Sequence, residues 1–271
     1  MRPFDIIATD LDGTFLTDDK RVLEANARAI RTASRQGIAT VFATGRPARW
    51  LGPLRELSDV HPWAIASNGA VTMELETGRV LHARPLSPDV ASRVGEEVRE
   101  ALPEALFAVE YASQWAAETG YPPRGDEDPA HRGTLESLLD HDAVVKLLVL
   151  GPTTPTEDLA DLVAPIVGDR LTVTFSYVAE AGMLELSAPG VSKALALTEL
   201  LTDLGIEPGR MVAFGDMPND LAMLELAGRG FAMSAAHDSL RRAGYEIAGD
   251  NNDAAVGRTI LRLLDGASPR V

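Results

Sequence analysis

No cysteine occurs in the chain, which excludes disulfides, thiolate metal sites and cysteine nucleophiles together. Lysine is nearly as scarce: Lys20, Lys146 and Lys193 are the only three among 25 basic residues. Arginine supplies the rest, so each lysine carries more information than usual. No apolar run is long enough to span a bilayer. The opening residues reach Asp5 without the apolar stretch a secretory signal needs. Positive charge is also in deficit. A formal net charge of −15 argues against nucleic acid or an anionic membrane as partner. An anionic substrate must then be drawn by a local site and not by the overall field. The expectation is a soluble cytoplasmic protein, monomer or homodimer, whose 45% apolar residues suffice for a core.

What is present starts with Phe4-Asp5-Ile6-Ile7-Ala8-Thr9-Asp10-Leu11-Asp12-Gly13-Thr14. An apolar run bounded by a turn signal reads as a short buried strand. Residues two apart on an extended backbone share a face, which would set the carboxylates of Asp10 and Asp12 side by side at the strand's carboxyl end. Gly13 lets the chain turn away. In open α/β sheets that edge is where ligands bind. Two close carboxylates need a cation or a shared proton, and magnesium is the hard cation suited to oxygen ligands beside a phosphate. The bland alternative is a solvated turn.

Further apolar runs follow at 38–43 and 63–66, the first closed by Thr44-Gly45-Arg46-Pro47 and the second by Ser67-Asn68-Gly69-Ala70. Helical spacing over 21–36, and a short helix through about Leu57, separate them. Strands alternating with helices imply βαβ units and a parallel sheet. The style changes after a hairpin at 71–73 and 79–82. A helix over 88–101, strands at 106–111 and 114–118, a loop at 120–133, a strand at 144–150 and a helix near 156–166 follow. The alternating segment 171–178 pairs with 183–187. This is an α+β unit with an antiparallel sheet, inserted over roughly 83–187. The first style returns with a helix from Lys193 to Leu204, a strand at 211–214, a helix at 221–227, a strand at 230–233 and a last helix at 254–264. The tail 266–271 reads as loose.

Strand ends and helix starts thus bring forward Asp10, Asp12, Thr44, Gly45, Arg46, Lys193, Asp216, Asn219 and Asp220. Phosphoryl transfer asks for a nucleophile, charge-spreading groups and an acid for the leaving oxygen, and all are in that set. Each has a plainer reading. Thr44 suits a helix N-cap, Arg46 could pair with surface carboxylates, Lys193 could be a solvated first-turn residue, and Asp216 and Asp220 could simply favour a helix dipole. The five histidines show no ligand spacing, and Trp115 reads as packing more readily than as a substrate stacker.

The chain resembles the haloacid dehalogenase-like (HAD) phosphatases, in particular the Cof-type group with a class II cap. Asp-Leu-Asp-Gly-Thr at 10–14, Thr44-Gly45-Arg46, Lys193 within Gly-Val-Ser-Lys, and Gly-Asp-x-x-Asn-Asp at 215–220 match the four family motifs in order. The resemblance implies an α/β fold, a doubly wound parallel-sheet core over 1–82 and 188–271 with an α+β cap over 83–187. It implies Asp10 as nucleophile through an aspartyl-phosphate, and Asp12 as general acid/base. Mg2+ would sit on the Asp10 and Asp216 carboxylates and the Asp12 backbone carbonyl. Thr44, Gly45, Arg46, Lys193 and Asn219 would bind the phosphoryl group, with Asp220 and Asn68 in support. The substrate class it implies is a small phosphorylated metabolite, a sugar phosphate or a phosphorylated cofactor. A phosphomutase and a non-catalytic metabolite sensor are the alternatives. Ala194 stands where the family often has glycine, which removes no chemical group.

Overall fold

Ile6 and Ile7 are wholly buried, and residues hidden on both faces are the mark of a central strand in a parallel sheet. Full burial of each contributes about 1.5–3 kcal/mol. The computed structural model describes residues 2–112, 114–124 and 127–266, and the chain forms two compact units. The first comprises Met1–Arg46, Trp50–Leu81 and Ser192–Val271; the second comprises Pro47–Arg49 and His82–Val191.

Strands β1 (Ile6–Thr9), β2 (Ala39–Ala43), β3 (Trp63–Ala66), β4 (Val71–Glu74) and β5 (Val80–Ala83) open the chain. In the second unit lie β6 (Leu106–Glu110), β7 (Trp115–Glu118), β8 (Arg132–Gly133), β9 (Lys146–Leu150), β10 (Thr172–Thr174) and β11 (Met183–Ser187). β12 (Met211–Gly215), β13 (Arg229–Met233) and β14 (Glu246–Gly249) complete the first. The helices are α1 (Glu24–Arg35), α2 (Pro88–Ala101), α3 (Leu135–Leu139), α4 (Thr156–Val167), α5 (Lys193–Leu204), α6 (Leu221–Leu226), α7 (Asp238–Ala243) and α8 (Ala255–Leu264).

The large sheet runs β14-β13-β12-β1-β2-β3-β4-β5. It is parallel from β14 to β3 and turns antiparallel at β4. Ile7 packs with Ala27, Ile30 and Ile260 of α1 and α8, whereas Ile6 and Ala8 pack with Leu197, Leu200 and Leu224 of α5 and α6. Helices therefore cover both faces, and the α/β doubly wound class expected from the sequence is the one adopted. The order outward from β1 reverses between β1 and β12. Such a switch point leaves a crevice at the carboxyl ends of the strands.

The second unit carries a six-stranded sheet ordered β10-β11-β9-β6-β7-β8, antiparallel except where β7 meets β8. Phe107, Val109, Leu147, Val149 and Leu184 face the helices α2, α3 and α4. Ala108, Trp115, Tyr121, Leu148 and Met183 occupy the opposite face. Trp115 is a packing residue, buried with its ring centroid 6.2 Å from that of Tyr121. Glu110 receives Arg49 and Arg124 there, and Lys146 pairs with Glu185 at 3.1 Å.

Several elements depart from expectation. The helix read through Leu57 is a 3-10 turn, Gly52–Val60, whose buried Leu54 and Leu57 stand three apart, the repeat of that tighter helix. The strand read over 171–178 shrinks to Thr172–Thr174, because its register with β11 ends at Glu185; Tyr177 and Val178 are exposed. β8, β14, α3 and α7 were not expected. Gly125 and Asp126 of the 120–133 loop, and residues 267–271 of the tail, lie outside the described residues. Among the described residues no helix is long and apolar enough to cross a membrane.

Candidate active site

β1 ends at Thr9, and the Asp10 amide donates to the Phe214 carbonyl of β12 at 3.0 Å. The next turn, Leu11–Phe15, contains Gly13 at φ 74°, a left-handed conformation that favours glycine. A Cβ there would stand 2.3 Å from Asp216 Oδ2. Gly13 is thus required twice, for its backbone angle and for the close approach of Asp216. Thr14 Oγ1 donates to Asp216 Oδ1 at 3.0 Å and fixes that carboxylate.

Lys193 begins α5, behind Ser192, whose Oγ caps the helix by accepting from the Leu195 amide. Its side chain is 1% exposed, which removes the reading of a solvated first-turn lysine. The ammonium donates to Asp10 Oδ1 at 2.6 Å and to Asp220 Oδ1 at 2.7 Å. Asp220 Oδ2 accepts the backbone N–H groups of Asp216 and Met217, each at 3.0 Å. Asp220 therefore ties the loop after β12 to the lysine and is no mere helix-dipole residue.

One carboxylate oxygen each from Asp10, Asp216 and Asp220 lies within 4.8 Å of the others. Of these three carboxylates, Asp10 and Asp220 share the Lys193 ammonium, while Asp216 is held by Thr14. Burial pushes the Asp10 carboxyl well above its usual range, against the pull of Lys193 and with a further push from Asp220 and Asp216. Burial, then the charge of Asp220, raises Asp216 to about 7. Lys193 is held above the ordinary lysine range, since Asp10 and Asp220 outweigh the cost of burying it. The ligand atoms are all oxygens and their excess negative charge is buried, an arrangement that suits a hard divalent cation.

Asp12 goes elsewhere. Asp10 (φ −65°, ψ 168°) and Asp12 (φ −77°, ψ 127°) are both extended, with the turn at Gly13, but cations from two other loops take up the second carboxylate. The Asp12 carboxylate receives Arg46 Nε at 2.6 Å, Arg46 Nη2 at 2.7 Å and Lys20 Nζ at 2.7 Å. Burial of Asp12 is outweighed by these two cations, and its carboxyl is held below the usual range. Arg46, read from sequence as a phosphate ligand or a partner of surface acids, is 14% exposed and spends its fork on Asp12. Thr44 is buried and caps no helix; its hydroxyl accepts the Arg46 amide at 3.1 Å. Gly45 follows it in the same turn, also buried.

The third turn is built from three consecutive left-handed residues, Ser67, Asn68 and Gly69. A Cβ on Gly69 would stand 2.2 Å from the Ser192 carbonyl, so this turn packs on the residue preceding Lys193. Asn68 Oδ1 accepts from Asn219 Nδ2 at 3.0 Å, joining the loops after β3 and β12.

A protein-family model described as haloacid dehalogenase-like hydrolase matches residues 7–260. The chain belongs to that family. The HMP-PP phosphatase of Cronobacter sakazakii is 29% identical to this hydrolase over 249 residues, 86% of this chain and 85% of that one. The pyridoxal phosphate phosphatase YbhA of Escherichia coli is 28% identical over 272 residues, 96% and 98% of the two chains. Among solved structures, the HAD subclass IIB sugar phosphatase BT4131 aligns with a TM-score of 0.80, covering 96% and 98%. At 19% identity that likeness speaks for the fold alone. With phosphatases matching along nearly its whole length, the chain is an enzyme of the phosphatase kind.

Sequence reasoning gave no role to three residues that reach those of the candidate site. Thr14 and His237 support Asp216, the latter through its backbone N–H to the Asp216 carbonyl at 2.8 Å. Lys20 reaches Asp12, and the rarity of lysine was the available signal. Lys193→Met is expected to lower folding stability by about 3–5 kcal/mol, because it strands two buried carboxylates. Urea unfolding at neutral pH in chelator measures it. A loss below about 1 kcal/mol would mean the ammonium does not hold the cluster together.

Proposed function

We propose that this phosphatase is a magnesium-dependent hydrolase of a small phosphorylated metabolite, working through an aspartyl-phosphate on Asp10. The observation that carries the reading is the meeting of Asp10, Asp216 and Asp220 within 4.8 Å, with Lys193 Nζ 2.6 Å from Asp10. Asp220 has both oxygens engaged by Lys193 and two backbone N–H groups. The carboxylates of Asp10 and Asp216 are therefore the ones that would hold Mg2+, with the Asp12 backbone carbonyl as the remaining protein ligand. When bound, the ion would spread the charge of the phosphoryl group and relieve the repulsion among the acids.

The rest of the chemistry belongs to side chains. A carboxylate oxygen of Asp10 attacks phosphorus, forming a P–O bond while the ester P–O bond breaks. Asp12, ionised beside Arg46 and Lys20, takes the proton that the substrate monoanion carries and passes it to the departing alkoxide. Asp12 then takes a proton from water, whose oxygen attacks phosphorus and frees the Asp10 carboxylate, and returning that proton to the phosphate leaves Asp12 ionised again. Lys193, as a compact point charge, together with the Thr44 hydroxyl, the Gly45 backbone and the Asn219 amide, receives the phosphoryl oxygens. Asp220 orients Lys193, Asn68 orients Asn219, and Arg46 holds Asp12. The unit read as a cap over 83–187 would select the leaving group. Relatives named for HMP-PP and pyridoxal phosphate support a phosphorylated cofactor or similar metabolite as substrate.

Release of inorganic phosphate from a panel of phosphorylated metabolites tests the reading. Activity is expected to vanish with EDTA and return with Mg2+. Ca2+ should restore it poorly, since calcium prefers looser, higher coordination. Isomerised sugar phosphate without free phosphate would move the assignment to a mutase. Undiminished turnover in EDTA would remove the metal from it.

A further inference from the structure

Lys20 sits where turn chemistry calls for another residue. Its loop is closed by a bridge between Leu16 and Val22 and by the Lys20 amide donating to the Thr17 carbonyl at 2.8 Å. Asp18 anchors it through Asn251 and Asn252. Within this loop Lys20 has φ 61°, a left-handed conformation in which glycine or asparagine is at ease and a long side chain is not. The lysine side chain is 53% exposed, and exposed ion pairs contribute little to stability. Folding therefore gives no reason to place a lysine there, and strained residues that folding does not explain cluster at functional sites. Its ammonium stands 2.7 Å from Asp12 Oδ1.

The carboxylate it touches is already oriented from one side. Arg46 grips Asp12 through two parallel N–H···O bonds and is itself fixed by donating Nη1 to the Trp50 carbonyl at 3.2 Å. A bidentate fork sets the plane of a carboxylate, but it leaves the group free to follow the arginine. A second cation from another loop closes the triangle.

We propose that Lys20 is a positioning residue for the acid/base Asp12: with Arg46 it clamps the carboxylate from two elements and fixes its place relative to Asp10. This rests on the reading of Asp12 as proton donor to the leaving alcohol. The Lys20 ammonium goes to Asp12, so its effect passes through Asp12.

The full-length enzyme with saturating Mg2+ provides the test, as kcat/KM on two probes. Glucose 6-phosphate has a poor leaving group that needs a proton; p-nitrophenyl phosphate has a good one that does not. kcat/KM covers steps through departure of that group. Lys20→Met is expected to lose about tenfold or more on glucose 6-phosphate, a fraction of what general acid catalysis supplies, and several times less on p-nitrophenyl phosphate. Lys20→Arg should recover most of the loss. Lys20→Gly separates contact from turn, since glycine relieves the backbone angle but removes the cation. It should fail as the methionine variant does. Equal losses on both probes, or a fully active Lys20→Gly enzyme, would overturn the proposal. Asp12→Asn in the same assay isolates the underlying assignment. If that variant spares glucose 6-phosphate, Asp12 is not the acid; if it does not and Lys20→Met does, only the role of Lys20 falls.

Discussion

Asp10→Asn is expected to lower kcat by about 10⁴-fold or more, equivalent to at least roughly 5 kcal/mol of activation free energy. Asparagine keeps the shape of the residue and an acceptor for the Lys193 ammonium, now 2.6 Å away. It removes only the anionic oxygen that would bond to phosphorus. The loss should therefore appear in turnover and not in folding, because Lys193 keeps Asp220 as counter-ion and one buried negative charge disappears. Phosphate release gives the rate. Acid-quenched protein incubated with labelled substrate gives the covalent intermediate, present in the native enzyme and absent in the variant. A variant that retains more than a few per cent of turnover would show that phosphorus is attacked by something other than Asp10.

Asp216→Asn should separate activity from stability in opposite directions. In the metal-free fold burial, and after it the charge of Asp220, push the Asp216 carboxyl up to about 7 from an ordinary value near 3.8. Between those values the folded state binds more protons than the unfolded one, so stability falls as pH rises. The contribution is present below pH 4 and gone above pH 7. A difference of about three pH units corresponds to an upper limit of roughly 4 kcal/mol. Asparagine is neutral throughout and can still accept from Thr14. In EDTA the variant should melt several degrees above the native protein at pH 7.5, with the gap closing towards pH 5. With Mg2+ at pH 7.5 the native protein should gain and the variant should not, since the ion binds a deprotonated carboxylate. Activity of the variant should be close to nil. If the two proteins melt together in EDTA at pH 7.5, the Asp216 carboxylate is not held under the repulsion described here.

Much of this was legible from residues that act in short contiguous runs. β1, β2, β3 and β12 declare themselves because a strand buried on both faces must be apolar throughout, and each ends in a glycine or small polar turn. The chemistry beside them, Asp10, Thr44, Lys193 and the Asp216–Asp220 loop, is tied to those ends and could be placed with them. The failures share a cause. β14 is an edge strand only half hidden, so nothing in Glu246–Gly249 forces an apolar pattern. α3 has five residues and depends on the Thr134 cap more than on periodicity. Asp10 and Asp12 are both extended, as their pairing supposed, but the second carboxylate is drawn to Arg46 and Lys20. Partners 34 and 8 positions away decide that orientation, and no local rule contains them.

The seam between β1 and β12 sets a timetable for biogenesis. Ile6–Thr9 pairs on one flank with β2, about thirty residues later, but on the other with Met211–Phe214. At about 5–20 residues per second, that flank waits roughly 10–40 s on the ribosome with its N–H and C=O groups unmatched. An uncovered strand edge invites pairing with a neighbouring chain. The acids, too, stay apart until then, so the nascent chain bears no concentrated negative charge to hinder its first collapse. Ion binding and sheet closure would arrive together, as the final act of folding.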